Sequence, residues 1–148
     1  MTKYFTTVML LIVAILGNTN VWAQKKKNAE PVKQHRIVMQ LTSADEKAHK
    51  SLTKQLNNLK DGWGDTVTIE VVCHGPGIDF LTTDKTKFAD EIYKLKTRGI
   101  VFVVCENSLK EREVPKEAIL PEMQYVKMGI GEIVIKQEQG WIYIKAGF

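Results

Sequence analysis

Only two cysteines and four prolines occur among the 148 residues, and neither charge sign dominates, with a formal net charge of +4. So few thiols leave no disulfide framework to hold the fold, which must rest on its own core. A chain of this size buries about two thirds of the surface its unfolded form exposes, so one core suffices. The mild positive charge excludes nucleic acid as the expected partner. A binder of that kind carries a basic face interleaved with stacking aromatics, whereas here Lys and Glu alternate along the chain as solvated faces. The one long apolar stretch, Phe5 to Gly17, is shorter than the roughly 20 residues a spanning helix needs. A glycine-rich phosphate cradle is also missing: the first strand leads into TSADEKAHK, whose acids repel phosphate.

What the amino terminus does contain reads as a secretory signal peptide over residues 1–23. Lys3 precedes the apolar stretch, and Val21 and Ala23 fit the small-residue cleavage rule, which puts cleavage before Gln24. No cysteine near that point offers a lipid anchor. The expectation is an exported, most simply periplasmic, protein with no membrane contact after cleavage. Residues 24–34, with Lys25, Lys26, Lys27 and Pro31, read as a polar tether. One domain follows, over residues 35–148.

Strand and helix patterns alternate five times through that domain. A first strand runs from His35 to Thr42, and Thr42 or Ser43 is placed to cap a helix with Asp45 and Glu46 in its first turn. Ala48, Leu52, Leu56 and Leu59 form the apolar stripe of that helix, which Gly62 and Gly64 end. A second strand spans Thr66 to Cys73. A Gly/Pro loop and an apolar turn at Ile78, Phe80 and Leu81 lead to a second helix carrying Phe88, Ala89, Ile92 and Leu95. The third strand is Gly99 to Cys105, the short helix ENSLKERE is capped by Asn107 or Ser108, and a weaker strand lies at Gln124 to Met128. GIGEIVIKQEQG makes a last helix and WIYIK a last strand. This order predicts a three-layer α/β/α domain with a five-stranded, mainly parallel sheet.

The chemistry gathers at two strand ends. GIVFVVC, a continuous β-branched run, finishes on Cys105, and TVTIEVVC finishes on Cys73 with His74, Gly75, Pro76 and Gly77 directly after it. Ligands collect outside the carboxyl ends of parallel strands, so two thiols and an imidazole share one candidate rim. Cys105 precedes a helix start, where the amides of Asn107 and Ser108 favour a thiolate, while Glu106 opposes one. The alternative is a buried structural thiol. His74 is either a proton acceptor or an element that orders the turn. Gly75 and Gly77 permit a tight bend and a close backbone approach, for a ligand or for a cramped loop. No cofactor is implied, and no metal: adjacent residues on a strand face opposite ways, and Cys73, His74 and Cys105 lack a fourth ligand. Trp63, Trp141 and Tyr143 read as core or subunit contacts.

Four segments taken together, EVVCHGPG at Glu70 to Gly77, FVVCENSL at Phe102 to Leu109, GIGEIVIKQEQGW at Gly129 to Trp141 and the terminal YIK, give the chain its likeness. It resembles the DsrE/DsrF-like proteins, which include sulfur-relay subunits and YchN-type proteins, and especially their small exported members, from about Arg36 to Lys145. The resemblance implies a parallel five-stranded sheet, homo-oligomers (often trimers or hexamers), and a cysteine after the third strand that carries a persulfide in relay members. Cys105 matches that position, and His74 to Gly77 match the HGPG turn of exported members. Cys73 departs from the pattern, which has a small apolar residue there. If the second and third strands are neighbours, as the likeness suggests, a Cys73–Cys105 disulfide is within reach; with the first strand between them it is not. The expectation is a sulfur carrier or thiol-relay component using Cys105, sulfurtransferase-like but without independent turnover, with His74 and the glycine turn shaping its pocket and a sulfur donor or acceptor protein as partner. The rival is a non-catalytic small-ligand-binding or assembly module with a structural cysteine.

Overall fold

The computed structural model describes residues 33–147; the expected signal peptide and most of the tether lie outside the described residues. Five strands form one sheet: β1 His35–Leu41, β2 Val67–Cys73, β3 Ile100–Cys105, β4 Gln124–Val126 and β5 Ile142–Ala146. All four pairings are parallel and the order is β4-β3-β2-β1-β5. The central strands are apolar on both faces because both faces are covered. Four helices connect them: α1 Glu46–Trp63, α2 Ala89–Thr97, α3 Glu106–Glu111 and α4 Gly129–Glu138. No described helix is long and apolar enough to cross a membrane.

The two faces are unequal. Leu52 and Leu56 of α1, Ile92 and Leu95 of α2 and Leu109 of α3 join Met39, Leu41, Val71, Cys73 and Val104 in the main core. Burying such a side chain contributes about 1.5–3 kcal/mol, so this face carries most of the stability. The other face is a small cluster of Val38, Val72, Val103 and Ile133, the last from α4. An ion pair seats α4 there: Lys136 Nζ lies 2.6 Å from Glu70 Oε2 and 3.4 Å from Glu132, and 4.6 Å from the Trp141 ring centroid. Glu70 is only 5% exposed and its Oε1 has no hydrogen-bond partner. Burial therefore raises its pKa, although Lys136 pulls the other way.

Several local expectations change. Asp45, not Thr42 or Ser43, caps α1: its carboxylate accepts the Lys47 N–H at 2.7 Å, while Ser43 Oγ accepts the Asp45 N–H. The carboxylate beats the hydroxyls because it stands two residues before the amide it satisfies. Cys105 itself, not Asn107 or Ser108, stands at the N-cap of α3 and makes no side-chain capping hydrogen bond, while the Ser108 hydroxyl inside the helix accepts the Gly75 N–H. Trp63 is 42% exposed and stacked on His35, and Tyr143 is 38% exposed, so neither belongs to the core.

Candidate functional site: a thiol between two helix starts

Register decides what meets at the sheet's carboxyl edge. Leu41 pairs with Cys73 and Cys73 with Val104, so these three face the main core together. Residues one step away face α4: Gln40 pairs with Val72, and Val72 with Val103. Continuing the β2–β3 register by one residue sets His74 opposite Cys105, on that same α4 face. The neighbouring thiols thus end adjacent strands but point to opposite sides of the sheet. Both are free, which corrects the disulfide alternative: the strands are neighbours, but the side chains diverge. Among the described residues no group of three or more His, Cys, Asp or Glu side chains is arranged to hold a metal.

Cys105 sits where two helices begin. It precedes α3, and the first amide of α4, Gly129 N–H, donates to its Sγ at 3.2 Å. Its thiol lies 4.0 Å from the Lys127 carbonyl oxygen. Burial alone raises its pKa; the Ser108 hydroxyl and the Gly129, Ser108 and Asn107 amides together outweigh that, and the net shift is downward. Glu106, the expected opponent, is turned to Lys116 in an ion pair. Cys73 has no such donors. It is wholly buried, and burial drives its pKa far up.

The turn after β2 closes the other side. Gly75 takes φ +52°, a conformation that glycine adopts at little cost, and its N–H donates to Ser108 Oγ at 2.7 Å, tying the turn to α3. Gly77 serves a cramped loop: a Cβ there would lie 2.2 Å from the Leu41 carbonyl oxygen. Gly129 wedges between the two chemical groups, since a Cβ on it would lie 3.0 Å from His74 Cβ and 3.2 Å from Cys105 Cβ. His74 is half-buried, its Nε2 is 2.7 Å from Gln40 Nε2, and Tyr143 Oη donates to Gln40 Oε1. Burial lowers the His74 pKa and so favours the neutral ring.

Of the residues singled out in the sequence, Cys105, His74, Gly75, Ser108 and the Asn107 amide come together, Gly77 supports from behind, and Cys73 lies apart. Sequence reading did not pick out Gln40, Gly129 or the polar role of Tyr143. Gln40 left one trace, as a polar residue set among the apolar positions Ile37 to Leu41 of β1. The sulfur is not freely open: Cys105 is 5% exposed. A mostly apolar cavity of ≈ 270 Å³ opens between the end of β4 and the start of α4, lined by Val126, Lys127, Met128, Gly131, Glu132 and Ile135 and not by Cys105 itself.

An all-parallel α/β sheet with one thiol held at its carboxyl edge by helix-start amides defines a class of protein. Within it, the chain belongs to the DsrE/DsrF-like family, whose model matches residues 35–146. Among solved structures it is similar to the protein of unknown function MTH1491 from Methanobacterium thermoautotrophicum, with 28% identity, a TM-score of 0.72, and coverage of 76% of this chain and 99% of that one. It also shares its fold with the conserved protein of unknown function BT1422 from Bacteroides thetaiotaomicron, at 18% identity and a TM-score of 0.56, covering 74% of this chain and 93% of that one. No curated protein matches the chain.

Proposed function

We propose that this DsrE-like protein is an exported sulfur carrier in which Cys105 takes up and hands on a sulfane sulfur. The observation that carries the reading is the Gly129 N–H on Cys105 Sγ at 3.2 Å, with the donors that outweigh burial and lower the thiol's pKa. A thiolate is the nucleophile in such exchange. The Cys105 thiolate attacks the outer sulfur of a persulfide donor R–S–S⁻; a new S–S bond forms on Cys105, the donor's S–S bond breaks, and R–S⁻ leaves. The charge is conserved and no external oxidant or reductant enters. Delivery to an acceptor thiolate reverses the step. The same amides then hold the persulfide anion. Because Cys105 is 5% exposed, the first turn of α4 has to yield as the donor approaches. Export through the amino-terminal signal and a homo-oligomeric state belong to the proposal.

A second reading has one observation in its favour. Ile130, Val134 and Ile135 of α4 and Ile142 of β5 are each about half exposed, an apolar surface suited to an assembly module whose cysteine is structural. Whole-protein mass spectrometry after incubation with a low-molecular-weight persulfide separates the two. The relay predicts one added sulfur atom per chain, lost in Cys105→Ser and kept in Cys73→Ser. An unmodified Cys105 under conditions that modify free cysteine overturns it.

A further inference from the structure

Four neighbouring strands place side chains on the α4 face of the sheet along one diagonal: Tyr143 on β5, level with Val38; Gln40 two positions further on β1; and His74 following β2 with Cys105 ending β3 at the carboxyl edge. Neither Gln40 nor Tyr143 touches the sulfur, yet Gln40 bonds to His74 at one end of its amide and to Tyr143 at the other. Their hydrogen bonds run in one direction. The structure sets the Tyr143 hydroxyl on the Gln40 amide oxygen and turns the other end of that amide, an NH2 group that only donates, to the imidazole. The ring nitrogen 2.7 Å away must accept.

We infer that Gln40 and Tyr143 are positioning residues that hold His74 as the neutral tautomer protonated on Nδ1, which makes the ring a hydrogen-bond donor to an anion at the Cys105 site rather than a base. This rests on the relay reading for the identity of the anion, the outer sulfur of a Cys105 persulfide. Three points of geometry support it. His74 and Cys105 flank Gly129, a Cβ on which would lie 3.0 Å from His74 Cβ and 3.2 Å from Cys105 Cβ, so the two side chains start from either side of one backbone position. The Gln40 amide is held at both ends, which removes its freedom to rotate. Tyr143 is 38% exposed and Gln40 intermediate, so the chain runs from solvent toward the site. A neutral donor also suits a site that already gathers amide N–H groups and a hydroxyl around sulfur, because it adds a third kind of donor without placing a fixed charge on a buried edge.

The test is nitrogen-15 NMR of the imidazole in the folded full-length domain at neutral pH, where Nδ1–H, Nε2–H and doubly protonated rings give different correlation patterns. Wild type should show Nδ1–H. Gln40→Glu, whose carboxylate only accepts, should transfer the proton to Nε2, and Tyr143→Phe should release the amide and give a mixture of tautomers. Cys73 remaining unreactive to alkylation reports that each variant is folded. Loading of Cys105 by a small persulfide should fall about tenfold in Gln40→Leu, the scale of one lost hydrogen bond to an anion, and by less in Tyr143→Phe. A wild-type ring protonated on Nε2 or on both nitrogens overturns the inference even if the sulfur adduct forms. A ring protonated on Nδ1 in a protein that never takes up sulfur overturns the relay and leaves the tautomer assignment standing.

Discussion

Cys73 and Cys105 end adjacent strands and have nearly the same sequence before them, VVC in each case, yet the sheet makes them opposites. Cys73 pairs with Val104 and faces the core under α1 and α2, where no donor reaches it and burial pushes its pKa far up. Cys105 extends one residue beyond that pair and faces α4, where amides and the Ser108 hydroxyl pull its pKa down against burial. A single step of register thus separates a thiol whose pKa burial drives up from one whose pKa hydrogen-bond donors hold down. Both residues are buried, so exposure alone does not distinguish them; the donors do.

The largest expected effect is on reactivity itself. Under native conditions iodoacetamide should modify Cys105 at least about a hundredfold faster than Cys73, because thiolate content controls the attack and Cys73 waits on unfolding. Peptide mass spectrometry after short pulses reads both rates, and equal rates would erase the distinction. Next comes Cys73→Ser, which buries a hydroxyl without a partner and should cost about 2 kcal/mol in denaturant unfolding while leaving the Cys105 alkylation profile in place. Gly129→Ala acts on the other thiol's side. Its Cβ meets His74 and Cys105 at 3.0 and 3.2 Å, so it should destabilise by about 1–2 kcal/mol and move the Cys105 midpoint upward as the amide is displaced. The smallest effect is expected from Ser108→Ala, which removes the acceptor of the Gly75 N–H and one donor to the sulfur. It should cost about 1 kcal/mol and raise the Cys105 midpoint without altering Cys73.

The sequence carried the architecture far because the cues were local. Continuous β-branched runs ending at Cys73 and Cys105, the Leu52 and Leu56 stripe, and glycines at helix ends specify parallel strands and crossover helices without reference to one another. The strand end as the place for chemistry was legible for the same reason. Which way each thiol faced was not, since that depends on the β2–β3 register, a relation between segments about thirty residues apart in which a slip of one residue exchanges the faces. Asp45 displaced Thr42 and Ser43 as the cap of α1 because three adjacent residues could all serve, and only backbone geometry chooses among them. Gln40 and Tyr143 meet through the β1–β5 pairing across most of the domain, and nothing near either residue announces the other. Glu106 looked opposed to a thiolate in the sequence, and only its pairing with Lys116 turns that charge aside.

The central claim concerns protonation, and the pH dependence of alkylation at each thiol in the native wild-type protein tests it most directly. A lowered pKa keeps the thiolate present at lower pH than in free cysteine, so the Cys105 rate should reach half its plateau below the midpoint of a free-cysteine control, while Cys73 stays silent across the range in which the protein remains folded. A Cys105 midpoint at or above that of the control would contradict the account.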